Sequence, residues 1–133
     1  MVEWSNDLSV GVPSIDVQHR KLIDLTNDFH AAIVTGRGAV KAGRTLIGLL
    51  AYTVSHFSYE EKVMQEAGYA DFEEHKAEHA RLVAEIRCLQ KDLLAGKTAL
   101  SVDLMHFMKS WLRMHIAGMD HKYAECLQAA GVK

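Results

Sequence analysis

Seven side chains that can each donate to a metal ion are spaced along this 133-residue chain: His19, His56, Glu60, His75, His79, His115 and Asp120. Imidazole nitrogen and carboxylate oxygen together suit a transition metal. At about 100° per residue, a helix sets positions i and i+4 only about 40° apart. His56 with Glu60, and His75 with His79, therefore each face one way. His115 and Asp120 are five apart, about 140° on a regular helix, so they converge only where the helix is bulged or ended. Gly118, between them, supplies a weak point.

The segments that must carry these residues read as four helices. Pro13, the only proline, closes an irregular N-terminal arm, and Ser14 or Asp16 can cap the helix that follows, expected from about Asp16 to Val34. Gly36, Gly38 and Gly43 loosen the next connection. Leu46, Leu49, Thr53, His56, Glu60 and Val63 then keep to one stripe of a second helix that ends near Ala67 and Gly68. Asp71 with Glu74 has the form of a capping box for a third helix, whose inner stripe is His75, His79, Leu82, Val83, Ile86 and Leu93, and Gly96 ends it. A fourth helix carries Leu104, Met108, Trp111, Leu112 and His115 on one face. A short amphipathic tail follows from about His121.

Short connections return each helix antiparallel beside its predecessor, so the expectation is all-α: an up-down-up-down four-helix bundle with an N-terminal arm and a short C-terminal helical tail. The donors provide a check on this topology. His19 is near the start of the first helix, His56 and Glu60 near the end of the second, His75 and His79 near the start of the third, and His115 near the end of the fourth. In an antiparallel bundle these positions share one level.

The length implies one domain, residues 1–133, and 49% hydrophobic content suffices for a single core. Fifteen basic and seventeen acidic residues give a net charge of −2, with no cationic run to neutralise phosphates, which argues against a nucleic-acid partner. The longest nearly apolar run, Thr45 to Val54, is about ten residues against the roughly 20 of a membrane helix, and Met1 to Trp4 has no signal-peptide character. A soluble cytoplasmic protein is expected, with Cys88 and Cys126 as reduced thiols.

Burying seven such side chains without a metal would cost several kcal/mol in unpaired groups. Five imidazoles and two carboxylates are too many donors for one tetrahedral zinc, and too rich in nitrogen for calcium or magnesium. They suit two iron or manganese ions. If Glu60 and Asp120 bridge through both oxygens and one oxo or hydroxo group is shared, three histidines fill one octahedral ion and two leave the other with a single vacancy.

The chain resembles the hemerythrin family in its bacterial single-domain form. The resemblance rests on Trp4, the run Ile15-Asp16-Val17-Gln18-His19, His56-Phe57-Ser58-Tyr59-Glu60, Gly68-Tyr69, His75-Lys76-Ala77-Glu78-His79, and Trp111 to Ile116 followed by Asp120 and Tyr123. It implies that His75, His79 and His115 hold a saturated iron and His19 and His56 an open one, with Glu60 and Asp120 bridging. It further implies reversible binding of O2 at the open iron, not enzymatic catalysis. The resemblance puts a bulky apolar residue, here Leu112, beside the bound O2, with Trp111, Ile116 and Ile23 as further wall candidates.

The remaining histidines and methionines read as structural. His30 lies about 16 Å along the helix from His19 and reads as a core histidine, while His106 and His121 face outward. Met105, Met108, Met114 and Met119 read as packing. Two other functions use a similar site: an O2 or redox sensor acting through a separate partner, and a diiron oxidase or an enzyme handling NO or peroxide. The latter class favours carboxylate-rich ligands with Glu-x-x-His pairs, which this chain lacks. The expected partners are O2 and an oxygen-consuming enzyme, with the protein a monomer.

Overall fold

The computed structural model describes residues 3–34, 38–94, 106 and 109–133. A 3-10 turn, Asn6–Leu8, opens the N-terminal arm. Three long helices follow: α1 (Pro13–Val34), α2 (Gly38–Glu66) and α3 (Phe72–Leu94). The fourth, α4, spans 109–129. It is α-helical over 109–114, passes through a π-helical turn at His115–Asp120 and continues as the α-helical tail His121–Ala129. The backbone stays helical at both junctions, so the tail runs on without a break. There is no strand among the described residues. The architecture is the antiparallel four-helix bundle with arm and tail, and α2 packs against both α1 and α3.

Several boundaries depart from the sequence reading. Helix α1 starts at Pro13, three residues before the expected Asp16, because proline suits the first helical position, where an N–H has no partner to lose. The Val12 carbonyl accepts the amides of Ile15 and Asp16. Ser14 and Asp16 therefore lie inside the helix. The Ser14 hydroxyl bonds that of Tyr59 at 2.7 Å, tying α1 to α2, and the Asp16 carboxylate accepts from the Val10 amide at 2.9 Å and the Ser9 hydroxyl at 2.5 Å, folding the arm back. Gly38 and Gly43 belong to α2 rather than to a connection. Gly36, Gly96, Leu104, Met105 and Met108 fall outside the described residues, as does the side chain of Leu93.

The ends of α2 and α4 are built alike. After α2, Tyr69 N–H bonds the Met64 carbonyl and Gly68 N–H that of Gln65, with Gly68 at φ +70°; after α4, Val132 and Gly131 repeat the pattern on Leu127 and Gln128. This is the Schellman closure, which satisfies the last carbonyls and needs a residue tolerant of positive φ. Gly11, at φ +71°, lets the arm approach α4 so closely that an added Cβ would lie 2.2 Å from Gln128 Nε2. That nitrogen donates to the Val10 carbonyl at 2.9 Å.

Apolar side chains form two clusters rather than one core. The larger gathers Leu22, Ile23, Phe29, Leu46, Leu49, Phe57, Leu82, Ile86, Trp111, Leu112 and Ile116. The smaller holds Val10, Val12, Ile15, Val63, Met64, Tyr123 and Leu127. Along α1 the order is Ile15, His19, Leu22, and along α2 it is Phe57, Glu60, Val63. The seven donors thus occupy a layer between two apolar plugs. No helix among the described residues is long and apolar enough to cross a membrane.

Candidate metal centre

All seven predicted donors converge in this layer, and none is more than 5% exposed. Helix α1 contributes His19, α2 His56 and Glu60, α3 His75 and His79, and α4 His115 and Asp120. Of the two expectations for His115 and Asp120, a bulge or a helix end, the bulge holds, as a π turn. Its i→i+5 bonding brings residues five apart onto one face, and His115 Nε2 lies 3.1 Å from Asp120 Oδ1. Gly118 is exposed within that turn and touches nothing that a Cβ would meet.

The donor atoms sort into two groups, each within 4.8 Å: His75, His79 and His115 with both carboxylates, and His19 and His56 with the same two carboxylates. Each carboxylate divides its oxygens between them. Glu60 Oε1 faces His56 Nε2 at 2.5 Å and His19 Nε2 at 3.0 Å, while Oε2 faces His79 at 3.4 Å and His75 at 3.6 Å. Asp120 Oδ2 is 3.0 Å from His19 Nε2, and Oδ1 is 3.1 Å from the Nε2 atoms of both His75 and His115. Such a division is what two cations sharing two bridging carboxylates require.

The layer is poorly satisfied as a hydrogen-bonded core. Among the described residues, His56 Nε2, His75 Nε2, Glu60 Oε2 and both Asp120 oxygens are buried without a hydrogen bond. The Nε2 atoms of His79 and His115 face each other at 3.2 Å. Cations would satisfy these lone pairs together, so the residues fit a metal pair. Protons stand in for part of that charge. Burial opposes charge on His19 and His75, but contact with Asp120 and Glu60 outweighs it and holds both pKa values up at about 9. Burial likewise pushes Glu60 and Asp120 up, yet the surrounding imidazoles, His56 first for Glu60 and His115 first for Asp120, hold both below the usual carboxylate range.

Four surrounding residues had no role assigned from sequence. Gln18 Oε1 meets His56 Nδ1 at 2.6 Å and Glu61 Oε2 meets His79 Nδ1 at 3.1 Å, contacts that orient a donor ring from behind. Phe57 stacks on His79, their centroids 3.7 Å apart and planes 1° from parallel, and Tyr123 stacks on His75. Each of Gln18, Phe57 and Glu61 adjoins a donor in sequence, but its target lies on another helix or turns on rotamer choice, which periodicity does not specify.

The four wall candidates, Ile23, Trp111, Leu112 and Ile116, are all buried within the larger cluster, and the Trp111 ring stacks on His115 at 5.4 Å. The residues set aside earlier stand mostly as expected: His106, His121 and Cys88 are exposed, and both cysteines are free. His30 is only half-buried rather than in the core, and Met114, read as packing, is 74% exposed.

Residues 10–127 match the family described as Hemerythrin HHE cation binding domain. The chain is 39% identical over 130 residues to the bacteriohemerythrin of Methylococcus capsulatus, covering 97% of this chain and 98% of that one. It is 33% identical over 129 residues to the bacteriohemerythrin of Stenotrophomonas maltophilia, covering 97% and 83%. A crystal structure of wild-type hemerythrin matches at a TM-score of 0.87 and 38% identity, covering 96% of this chain and 97% of that one. A leucine-to-tyrosine variant of hemerythrin matches at 0.89 and 37%, with the same coverage.

Proposed function

The chain belongs to the hemerythrin family, and from that premise we propose that it binds O2 reversibly at a pair of non-haem irons, as a carrier, store or source of O2 for an oxygen-consuming enzyme. The observation that carries this reading is the division of Glu60 and Asp120, one oxygen of each toward three histidines and the other toward two.

In this reading His75, His79 and His115 hold one iron and His19 and His56 the other. Glu60 and Asp120, each with one oxygen toward either histidine group, would be shared by the two ions. Bound there, an iron pair would supply the two electrons on which reversible O2 binding draws, and the half with only two histidines would be the one left able to take O2. The polypeptide keeps water and anions out. Ile23, Trp111, Leu112 and Ile116 form an apolar wall, and the plug of Val12, Ile15, Met64, Tyr123 and Leu127 closes the other side of the layer. With histidine in excess over carboxylate, the donor set suits a carrier better than an oxidase. We further propose that residues 1–133 act as one domain, as a monomer and in the cytoplasm. Anomalous diffraction at the iron edge tests the arrangement. Two peaks flanked by the Glu60 and Asp120 carboxylates are expected, and one peak, or a peak at the zinc edge alone, would overturn it.

A further inference from the structure

Among the described residues, two of the five imidazoles are held from behind by a side chain, and the two supports differ by one charge. Gln18 Oε1 is 2.6 Å from His56 Nδ1, and Glu61 Oε2 is 3.1 Å from His79 Nδ1. Both oxygens accept, so each contact places the ring proton on Nδ1 and leaves the Nε2 lone pair aimed at the centre. A carboxylate acceptor makes the imidazole a stronger donor than an amide does, because the shared proton draws electron density into the ring.

The fold makes this contact firm. Glu61 follows Glu60 on α2, so it projects about 100° away from its neighbour, out of the donor layer and toward α3. Phe57, one turn before Glu61, lies flat on the same His79 ring and prevents it from tilting. The Glu61 side chain is 23% exposed and that of His79 is 2%. Glu61 thus forms the junction between the dry layer and a surface cleft of about 300 Å³ lined also by Ser58, Lys76 and Arg87. Those two cations belong to exposed residues, so solvent and salt weaken their opposition to a carboxylate in direct contact with the ring.

We infer that Glu61 is a positioning residue that makes the two halves of the centre unequal. By fixing His79 and adding negative charge behind it, Glu61 makes the His75, His79 and His115 half the more strongly donating one, holding its metal more tightly and releasing an electron at lower potential. Gln18 leaves the His19 and His56 half the more electrophilic. The inference rests on the diiron reading of the same cluster.

Three variants of the full chain test it. Glu61→Gln keeps an acceptor of the same size and removes the charge, Glu61→Asp keeps the charge, and Gln18→Glu adds one behind His56. The readouts are the midpoint potential of the iron-loaded protein, the rate of iron loss to a chelator, and the ¹⁵N shifts of the His79 ring in zinc-loaded protein. Glu61→Gln should raise the potential by about 59 mV, a tenfold change in a one-electron equilibrium. It should also speed iron loss about tenfold, the lower end for loss of such an outer partner. Glu61→Asp should restore most of both, and Gln18→Glu should move the potential the opposite way. In zinc-loaded wild type His79 should be protonated at Nδ1, with a shift that moves in Glu61→Gln. Two irons per chain with potentials unmoved, or with Glu61→Gln and Gln18→Glu shifting in the same direction, would overturn the role of Glu61 alone. Fewer than two irons in the wild type would overturn the diiron reading and this inference with it.

Discussion

His79 and His115 meet tip to tip, their Nε2 atoms 3.2 Å apart in a layer sealed above and below by apolar side chains. Without a metal, one ring must carry its N–H on Nε2 and donate to the other. A cation between them would instead take both lone pairs. Around Glu60 and Asp120 the two carboxylates favour protons on His19 and His75, a charge that the metal-loaded layer does not need.

Metal-free protein should for that reason lose stability with rising pH. Folded His19 and His75 titrate at about 9 against an ordinary 6.5. A raised folded pKa contributes stability that is whole below 6.5 and lost as pH rises through about 9. The depressed Glu60 and Asp120 contribute on the acid side, where stability falls as pH drops below their ordinary range. Circular-dichroism melting of chelator-treated protein should show Tm falling by several degrees between pH 6.5 and 9, while iron-loaded protein stays nearly flat. A rise in Tm of the stripped protein across that window would contradict the assignment.

Removing a donor should act on iron and fold together, since metal affinity is coupled to folding. Glu60→Ala or His79→Ala is expected to bring iron below one per chain and to lower Tm, each kcal/mol lost being worth about 4 °C in a chain of this size. His106→Ala, at an exposed position, should leave both within error. Comparable losses at His106 and His79, by iron assay and calorimetry, would mean a wrong donor set.

Leu112 is 1% exposed and packs with Ile23, Trp111 and Ile116. Leu112→Ala should cost about 2–5 kcal/mol as a core truncation. As a breach in the apolar wall it should also shorten the lifetime of the oxygenated protein in air, with azide accelerating the loss. Decay of the oxygenated spectrum, timed at matched iron content, checks this. An unchanged or longer lifetime would pass the gating role to Trp111, Ile116 or Ile23.

Gly118→Ala tests what widens α4. A Cβ there would meet nothing within 4 Å, so the substitution should stabilise the helix by about 0.5–1 kcal/mol, as alanine does over glycine in a helix interior. Iron content should be unchanged. Loss of iron would show that the π turn depends on glycine's freedom rather than on the demand of His115 and Asp120 for a shared face.

The i,i+4 pairs and the stripe from Leu46 to Val63 declare their helical faces directly, and antiparallel packing brings the donors to one level. The five-residue gap from His115 to Asp120 required the helix to be either bulged or ended there, because a regular helix would turn them apart. Periodicity, however, reports which face is inward and not where a long polar side chain ends. Gln18 and Glu61 look like ordinary polar neighbours of His19 and Glu60, yet reach across to His56 and His79. Nor did the pattern show that Asp16 would tie down the arm while Pro13 opened the helix, since both residue types suit a helix start. The division of the core into two plugs was hidden because the donors share the same stripes as the apolar residues.

Reversibility is what separates an O2 carrier from a diiron oxidase. Protein loaded with ferrous iron under argon and then exposed to O2 should take up one O2 for each pair of irons, with charge-transfer bands that appear on uptake and vanish under vacuum over repeated cycles. Irreversible oxidation in a single exposure, or uptake by a protein holding one metal per chain, would contradict the carrier reading.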